Sequence, residues 1–211
     1  ESQSTCSLWL SSQEVSAFIY SPTIVYKQRW RSPCLACFVW CVAGLETDGI
    51  YRVSGNLAVI QKLRFLVNHE EKLNLDESEW EDIHVITGAL KLFFRELPEP
   101  LVPYGFFTDI VETVKMSDYM DKIDRLKCLV LNMPPPNHDT LQFMCRHLKR
   151  VLENSETNRM TTQNIGIVFG PTLMRPERDN GNMAVNMVYQ NQAVELILTE
   201  FDHIFGTRGL S

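Results

Sequence analysis

Apolar residues recur at every third or fourth position along most of the chain from residue 45 onward. This spacing places them on one face of an α-helix, because a helix completes a turn about every 3.6 residues. Helices are predicted in this way around residues 57–67, 83–97, 106–114, 123–133, 141–152, 161–170 and 194–205. Runs with the alternating period of a β-strand are few and short. The pattern therefore predicts an all-α fold, a single-domain helical bundle packed around one core.

Prolines and polar stretches separate the predicted helices. Pro98 and Pro100 end the second one, and Pro134–Pro136 end the fourth, because proline cannot continue a helix. Thr161 is the predicted N-cap of a short sixth helix. Residues 175–192 are polar and rich in Gly and Asn, so we predict a long surface loop there.

Composition narrows the classes of partner. A length of 211 residues with 45% hydrophobic content suits one globular domain. A formal net charge of -6 argues against nucleic acid, because duplex-binding proteins carry a basic excess. The apolar stretch at 33–45 is shorter than the roughly 20 residues that span a bilayer. We therefore expect no nucleic-acid partner and no direct membrane insertion.

Cysteines and motifs indicate little chemistry of the chain's own. Three of the six cysteines lie in the apolar stretch, which favours buried thiols in a reducing compartment. Cys34 and Cys37 have the spacing of half a zinc site, but no second Cys or His pair stands at ligand spacing. Phosphate-binding-loop, zinc-protease and hydrolase motifs are absent. The sequence thus predicts no metal, no cofactor and no complete enzyme site.

The remaining candidates are three cations and their neighbours. Arg52 lies between Gly49 and Gly55, and glycines allow a left-handed backbone or a close approach to another segment. Lys91 and Arg95 are one turn apart on the second predicted helix, so their side chains lie one above the other. An exposed, solvated cation is the ordinary alternative for each of the three. For Arg52, the bracketing glycines and the apolar residues beside it, which can anchor the loop in the core, favour an arginine that is held in place.

At this point three segments resemble the motifs of Rho GTPase-activating (RhoGAP) domains, in the same order and with similar spacing. Gly44–Asn56 resembles the arginine-finger loop, which we call the finger loop. Leu90–Leu101 and Asn158–Pro171 resemble the second and third motifs. The details around Trp80 and Met187–Gln192 look most like the multidomain branch whose longer members carry SH3, WW or PH modules.

The resemblance also implies a division of the chain. Residues 44–206 would form the RhoGAP domain. Residues 1–43 depart from the family pattern and would be an atypical N-terminal segment replacing the usual first helix, and residues 207–211 would be a tail.

The resemblance implies a role for each candidate residue. Arg52 would be the finger, a catalytic arginine supplied in trans, so the chain would be a GTPase activator and not an enzyme in its own right. Arg95 would brace the finger loop by hydrogen-bonding to backbone carbonyls of the loop. Gly49 and Gly55 would also support the conformation of the loop. Lys91 would face acidic or carbonyl groups of the GTPase, and Asn164 would hydrogen-bond at the same interface. A helix-start role beside the Thr161 cap would also explain Asn164.

The implied partner is a Rho-family GTPase in its GTP-bound state: Rac, Cdc42 or Rho, with Rac preferred. We expect a cytoplasmic monomer, recruited to the membrane periphery by modules outside this chain. Two alternatives stay open. One is a GTPase-binding module weakened or inactivated by the atypical N-terminus, and the other is a helical scaffold that binds no GTPase.

Overall fold

Helices make up the regular secondary structure of the computed structural model, which describes residues 44–69, 78–178 and 183–206. Within these ranges there is no β-strand, and the all-α prediction is confirmed. The helices are α1 (Leu57–Asn68), α2 (Ile83–Arg95), α3 (Tyr104–Lys115), α4 (Tyr119–Leu131), α5 (Pro135–Glu153), α6 (Ser155–Asn158), α7 (Thr162–Leu173), α8 (Met183–Thr199) and α9 (Phe201–Phe205). A short 3₁₀ turn, Ser78–Trp80, precedes α2. The predictions for residues 1–43 and 207–211 lie outside the described residues.

The predicted loop at 175–192 is wrong over most of its length, because α8 begins at Met183. The buried face of α8 starts with Asn186 and Gln190 and continues with Ala193 and Val194. These positions follow helical spacing, but the first two are polar, so the apolar pattern does not reveal them. Gln190 Nε2 donates to the Met174 carbonyl oxygen at 3.2 Å, which gives the buried amide nitrogen a partner.

Prolines act at helix starts as well as ends. Pro134 precedes α5 and Pro135 occupies its first turn, where the missing N–H costs nothing. Helix α4 ends before them, at Leu131. The last predicted helix is also divided, at Glu200, into α8 and α9.

Close helix packing at the centre of the fold depends on two glycines of α7. A Cβ at Gly166 would lie 2.9 Å from the Asn191 carbonyl oxygen of α8, and one at Gly170 would lie 2.8 Å from the Asn191 nitrogen. Both separations are too short for a side chain. Helix α7 also packs against α2, and α2 packs against α1. The fold therefore holds α2 and α7, which carry the second and third motifs, side by side.

Candidate functional site

The finger loop buries the two residues before Arg52 and exposes Arg52 itself. Ile50 and Tyr51 have no exposed surface, whereas 46% of the Arg52 side chain is exposed. Gly49 and Tyr51 both adopt positive φ, 67° and 69°, and the backbone N–H groups of Arg52 and Val53 both donate to the Gly49 carbonyl oxygen at 2.8 Å. This tight turn directs Arg52 outward immediately after a buried residue.

Each bracketing glycine has one of the two geometries that the sequence analysis expected. Gly49 is left-handed, a conformation that L side chains rarely adopt. Gly55 makes the close approach, because a Cβ there would lie 2.5 Å from the His84 carbonyl carbon and the Val85 nitrogen. The finger loop therefore meets the first turn of α2 backbone against backbone.

Lys91 makes the contact to the finger loop that was expected of Arg95. Lys91 is only 9% exposed, and its Nζ donates to the Tyr51 carbonyl oxygen at 2.5 Å. Arg95 Nε instead donates to Thr172 Oγ1 on α7 at 3.1 Å, and no bond from Arg95 to a finger-loop carbonyl occurs among the described residues. The loop crosses the N-terminal part of α2, near Gly55, so Lys91 lies within reach and Arg95 lies one turn beyond it.

Asn158 connects the finger loop to the third motif. It has no exposed surface, and its carbonyl oxygen accepts from Gly49 N at 2.8 Å. Its Nδ2 donates to the carbonyl oxygens of Leu45 (2.8 Å) and Val151 (2.7 Å), and its Oδ1 accepts from Met160 N at 2.9 Å. Sequence reasoning missed this role, because a single buried asparagine at the end of the one-turn helix α6 has no periodic signature.

Asn164 helps to cap the N-terminus of α7. Thr161 is the N-cap, as predicted, and its Oγ1 accepts from Asn164 N at 3.1 Å. In return Asn164 Oδ1 accepts from Thr161 N at 3.2 Å, which completes a capping box. The Nδ2 donors of Asn164 make no hydrogen bond within the described part of the chain, so they can serve a partner.

A small ion-pair cluster surrounds Arg52. The Asp48 carboxylate lies 3.7 Å from Arg52 Nη2 and 3.2 Å from Arg159 Nη2. All three side chains are largely exposed, so each pair contributes little and is screened by salt. Arg52 is therefore loosely held at its tip while its backbone is firmly held. Neither Asp48 nor Arg159 was predicted from the sequence as a site residue.

The Tyr51 side chain is fixed beneath the loop. Its hydroxyl oxygen lies 2.7 Å from Nε2 of His147, which α5 carries. The ring meets Phe169 of α7 edge to face, with centroids 4.9 Å apart. Burial, and secondarily the charge of Arg150, lowers the pKa of His147 from 6.5 to about 3, so its imidazole is neutral near pH 7.

Residues 44–69, 78–178 and 183–206 offer neither a metal site nor a membrane-spanning helix. No cluster of His, Cys, Asp or Glu side chains in these ranges could hold a metal ion. None of their helices is long and apolar enough to cross a membrane. The Cys34 and Cys37 pair lies outside the described residues.

Comparisons with known proteins point to a single family. A model of the RhoGAP domain matches residues 35–178, so the match begins within the segment 1–43, and the boundary at residue 44 stays a prediction. Rho GTPase-activating protein 15 of Gallus gallus is 63% identical over 164 residues, which cover 78% of this chain and 34% of that protein. Rho GTPase-activating protein 12 of Homo sapiens is 63% identical over 163 residues, or 77% of this chain and 19% of that protein.

A solved structure is also similar. The crystal structure of human Rho GTPase activating protein 15 matches with a TM-score of 0.75 and 58% sequence identity, over 81% of this chain and 83% of that one. The chain spans about a third or less of the length of these two curated relatives. The motif order, the helical fold and the matched domain together lead to one conclusion: this chain belongs to the RhoGAP family.

Proposed function

We propose that this chain stimulates the hydrolysis of GTP bound to a Rho-family GTPase, with Arg52 inserted in trans as an arginine finger. The observation that carries the proposal is an exposed guanidinium on a firmly held backbone. Lys91 donates to the carbonyl oxygen of Tyr51, which directly precedes Arg52, and the Asn158 carbonyl oxygen accepts from the N–H of Gly49. The similar proteins from Gallus gallus and Homo sapiens are themselves named Rho GTPase-activating proteins.

The chemistry of GTP hydrolysis suits this arrangement. The transferring γ-phosphoryl group spreads negative charge over its oxygens, and a cation supplied by an activator can stabilise that charge. Arginine fits better than lysine, because its planar guanidinium stays charged and can bind two oxygens at once. A backbone that is already ordered loses little further entropy when Arg52 enters the nucleotide site.

The neighbouring residues would share the work at the interface. Asn164 would donate its Nδ2 hydrogens to the GTPase while its Oδ1 keeps the start of α7 capped. Lys91 would hold the finger loop through Tyr51 and, at the mouth of the site, face the GTPase. Arg95 would support the loop indirectly, by joining α2 to α7 through Thr172.

The proposed partner is the GTP-bound form, because only that form presents the γ-phosphate on which the finger acts. Rac is the preferred member, ahead of Cdc42 and Rho, on the strength of the resemblance to the multidomain branch. Action as a cytoplasmic monomer, brought to membranes by modules outside this chain, is part of the same proposal.

A single-turnover hydrolysis assay tests the proposal. GTP-loaded Rac, Cdc42 and Rho are mixed with the chain, with Arg52→Ala, or with Arg125→Ala as a matched control. Arg125 is 48% exposed and lies 3.8 Å from Asp109, so it reproduces the exposure and the ion pair of Arg52 on α4. Arg52→Ala should lose stimulation by about 10³-fold or more, whereas Arg125→Ala should retain it.

Binding to the GTP-loaded GTPase is measured in parallel, and Arg52→Ala should still bind. Unchanged stimulation by Arg52→Ala would exclude the finger assignment. Binding by the unsubstituted chain without any stimulation would instead identify a non-catalytic GTPase-binding module, and the absence of both would identify a scaffold of another kind.

A further inference from the structure

Tyr51 ties the finger loop to three helices at once. Its carbonyl oxygen accepts from Lys91 of α2, its ring packs on Phe169 of α7, and its hydroxyl bonds His147 of α5. The side chain has no exposed surface. No other residue lies between this anchor and Arg52, so any rotation of the Tyr51 backbone swings the guanidinium directly.

The Tyr51 backbone needs such support. Its φ of 69° lies in the left-handed region, which costs energy for a residue that carries a Cβ. Conformations of this kind persist where surrounding contacts hold them, and they concentrate at functional positions. The core can support this backbone conformation through the ring and the carbonyl oxygen of Tyr51.

His147 is chemically suited to hold the ring. Burial keeps its imidazole neutral near pH 7, and a neutral imidazole offers one N–H and one bare nitrogen. A tyrosine hydroxyl can donate or accept, so the 2.7 Å bond forms with either tautomer. A phenylalanine at residue 51 would fill almost the same volume but would lose this directional bond.

We propose that His147 is a positioning residue for the arginine finger. Its hydrogen bond to the Tyr51 hydroxyl fixes the ring, and the fixed ring maintains the left-handed backbone from which Arg52 projects. This inference rests on the proposed function and deepens it, because it assigns to a residue of α5, 95 positions from the finger, a share in setting the rate.

The decisive experiment is a double-mutant cycle on the saturating single-turnover rate of GTP hydrolysis. The variants are Tyr51→Phe, His147→Phe, the double variant, and His147→Gln, which keeps an acceptor. Tyr119→Phe is the matched control, because the Tyr119 hydroxyl donates to Glu200 Oε1 at 2.6 Å and also joins distant parts of the chain.

Each single Phe variant should lower the saturating rate by about three- to tenfold, the equivalent of one hydrogen bond. The double variant should lose no more than the worse single variant, since both remove the same bond. His147→Gln should recover part of the loss, and affinity for the GTP-loaded GTPase should change little. Unchanged rates in Tyr51→Phe, or losses that multiply in the double variant, would overturn the inference.

Hydrogen–deuterium exchange of the isolated chain supplies a readout that needs no GTPase. The amides of Arg52 and Val53, both bonded to the Gly49 carbonyl oxygen, should exchange faster in Tyr51→Phe and not in Tyr119→Phe. Equal exchange in Tyr51→Phe and the unsubstituted chain would overturn the inference that the Tyr51–His147 bond holds the finger loop. A chain that stimulates no GTPase would contradict only the proposed function, because the exchange experiment would still test whether the Tyr51–His147 bond holds the finger loop.

Discussion

Replacing Lys91 by methionine removes the hydrogen bond that Lys91 Nζ donates to the finger loop. Methionine keeps an unbranched stem of similar length, so the packing along α2 is preserved. The Tyr51 carbonyl oxygen, however, loses the donor that Lys91 Nζ supplies. Because Tyr51 directly precedes Arg52, we expect the substitution to disturb the position of the finger more than the surface of the site.

The magnitude follows from the kind of bond. A hydrogen bond from a charged donor contributes about 1.5–3 kcal/mol, and Lys91 is only 9% exposed, so water replaces it poorly. If this energy is needed to keep Arg52 in its working position, the saturating rate of stimulated hydrolysis should fall by about 10- to 150-fold.

The assay is single-turnover GTP hydrolysis over a range of activator concentrations, which separates the saturating rate from the half-saturating concentration. Lys115→Met is the control, because Lys115 is exposed and its Nζ bonds the neighbouring Glu112 carboxylate at 2.9 Å. For Lys91→Met the rate should fall while the half-saturating concentration changes by less than about threefold. An unchanged rate with a raised half-saturating concentration would refute the reasoning and make Lys91 a contact to the GTPase only.

Arg95→Met provides a second check on the same reasoning. Its observed partner is Thr172 on α7 and not the finger loop, so its effect on the saturating rate should be smaller than that of Lys91→Met. A larger effect for Arg95→Met would mean that Arg95, and not Lys91, supports the loop in the active complex.

Three further predictions concern stability. In a denaturant titration, Gly55→Ala should lower the free energy of unfolding by about 1–3 kcal/mol, because the new Cβ would lie 2.5 Å from the backbone of α2. Gly105→Ala should raise the free energy of unfolding slightly, because a Cβ at that position would have no atom within 4 Å. Asn158→Ala should cost about 3 kcal/mol through three lost buried hydrogen bonds, against less than about 1 kcal/mol for exposed Asn132→Ala, and equal losses would contradict the anchoring role. His147 is neutral in the folded chain but becomes protonated in the unfolded chain near pH 6.5, so the free energy of unfolding should decrease as the pH is lowered from about 6.5 to 3. Relative to His147→Gln, the chain should lose about 2 kcal/mol of stability between pH 7 and pH 5, and a difference that does not change with pH would contradict the lowered pKa.

The loose pairing of Arg52 with Asp48 suits the proposed role of Arg52, which requires its side chain to exchange partners. An exposed ion pair at 3.7 Å contributes less than about 1 kcal/mol, so it can be exchanged easily for phosphate oxygens. The contacts to Tyr51 and Gly49, in contrast, lie in the interior. In the proposed function, this division would leave the Arg52 guanidinium adaptable and its attachment rigid, which would reduce the entropy lost on docking.

Prediction from the sequence succeeded where one helix face is apolar. The stripes of α2 and α5 were found, and the Thr161 cap was placed correctly, because both signals are local. It failed at the start of α8, whose buried face begins with Asn186 and Gln190. A helix that buries polar side chains against bonding partners lacks the periodicity on which the prediction depends.

The site shows the same limit. Lys91 and Arg95 occupy one edge of α2, and their spacing alone could not tell which of them meets the finger loop. That choice depends on where the loop crosses the helix, which the contact of Gly55 with the first turn of α2 determines. The anchoring roles of Asn158 and His147 were missed for a related reason, since each becomes meaningful only beside a residue far away in the chain.

Short-range patterns in the sequence are enough to predict the helical class, the family resemblance and an arginine in a glycine-bracketed loop. What holds that arginine in place depends on contacts that exist only in the folded chain. The bonds from Lys91, His147 and Asn158 to the finger loop join residues 40, 96 and 113 positions apart. Such contacts form only when the packed helices bring distant polar groups together in an interior where each must find a partner.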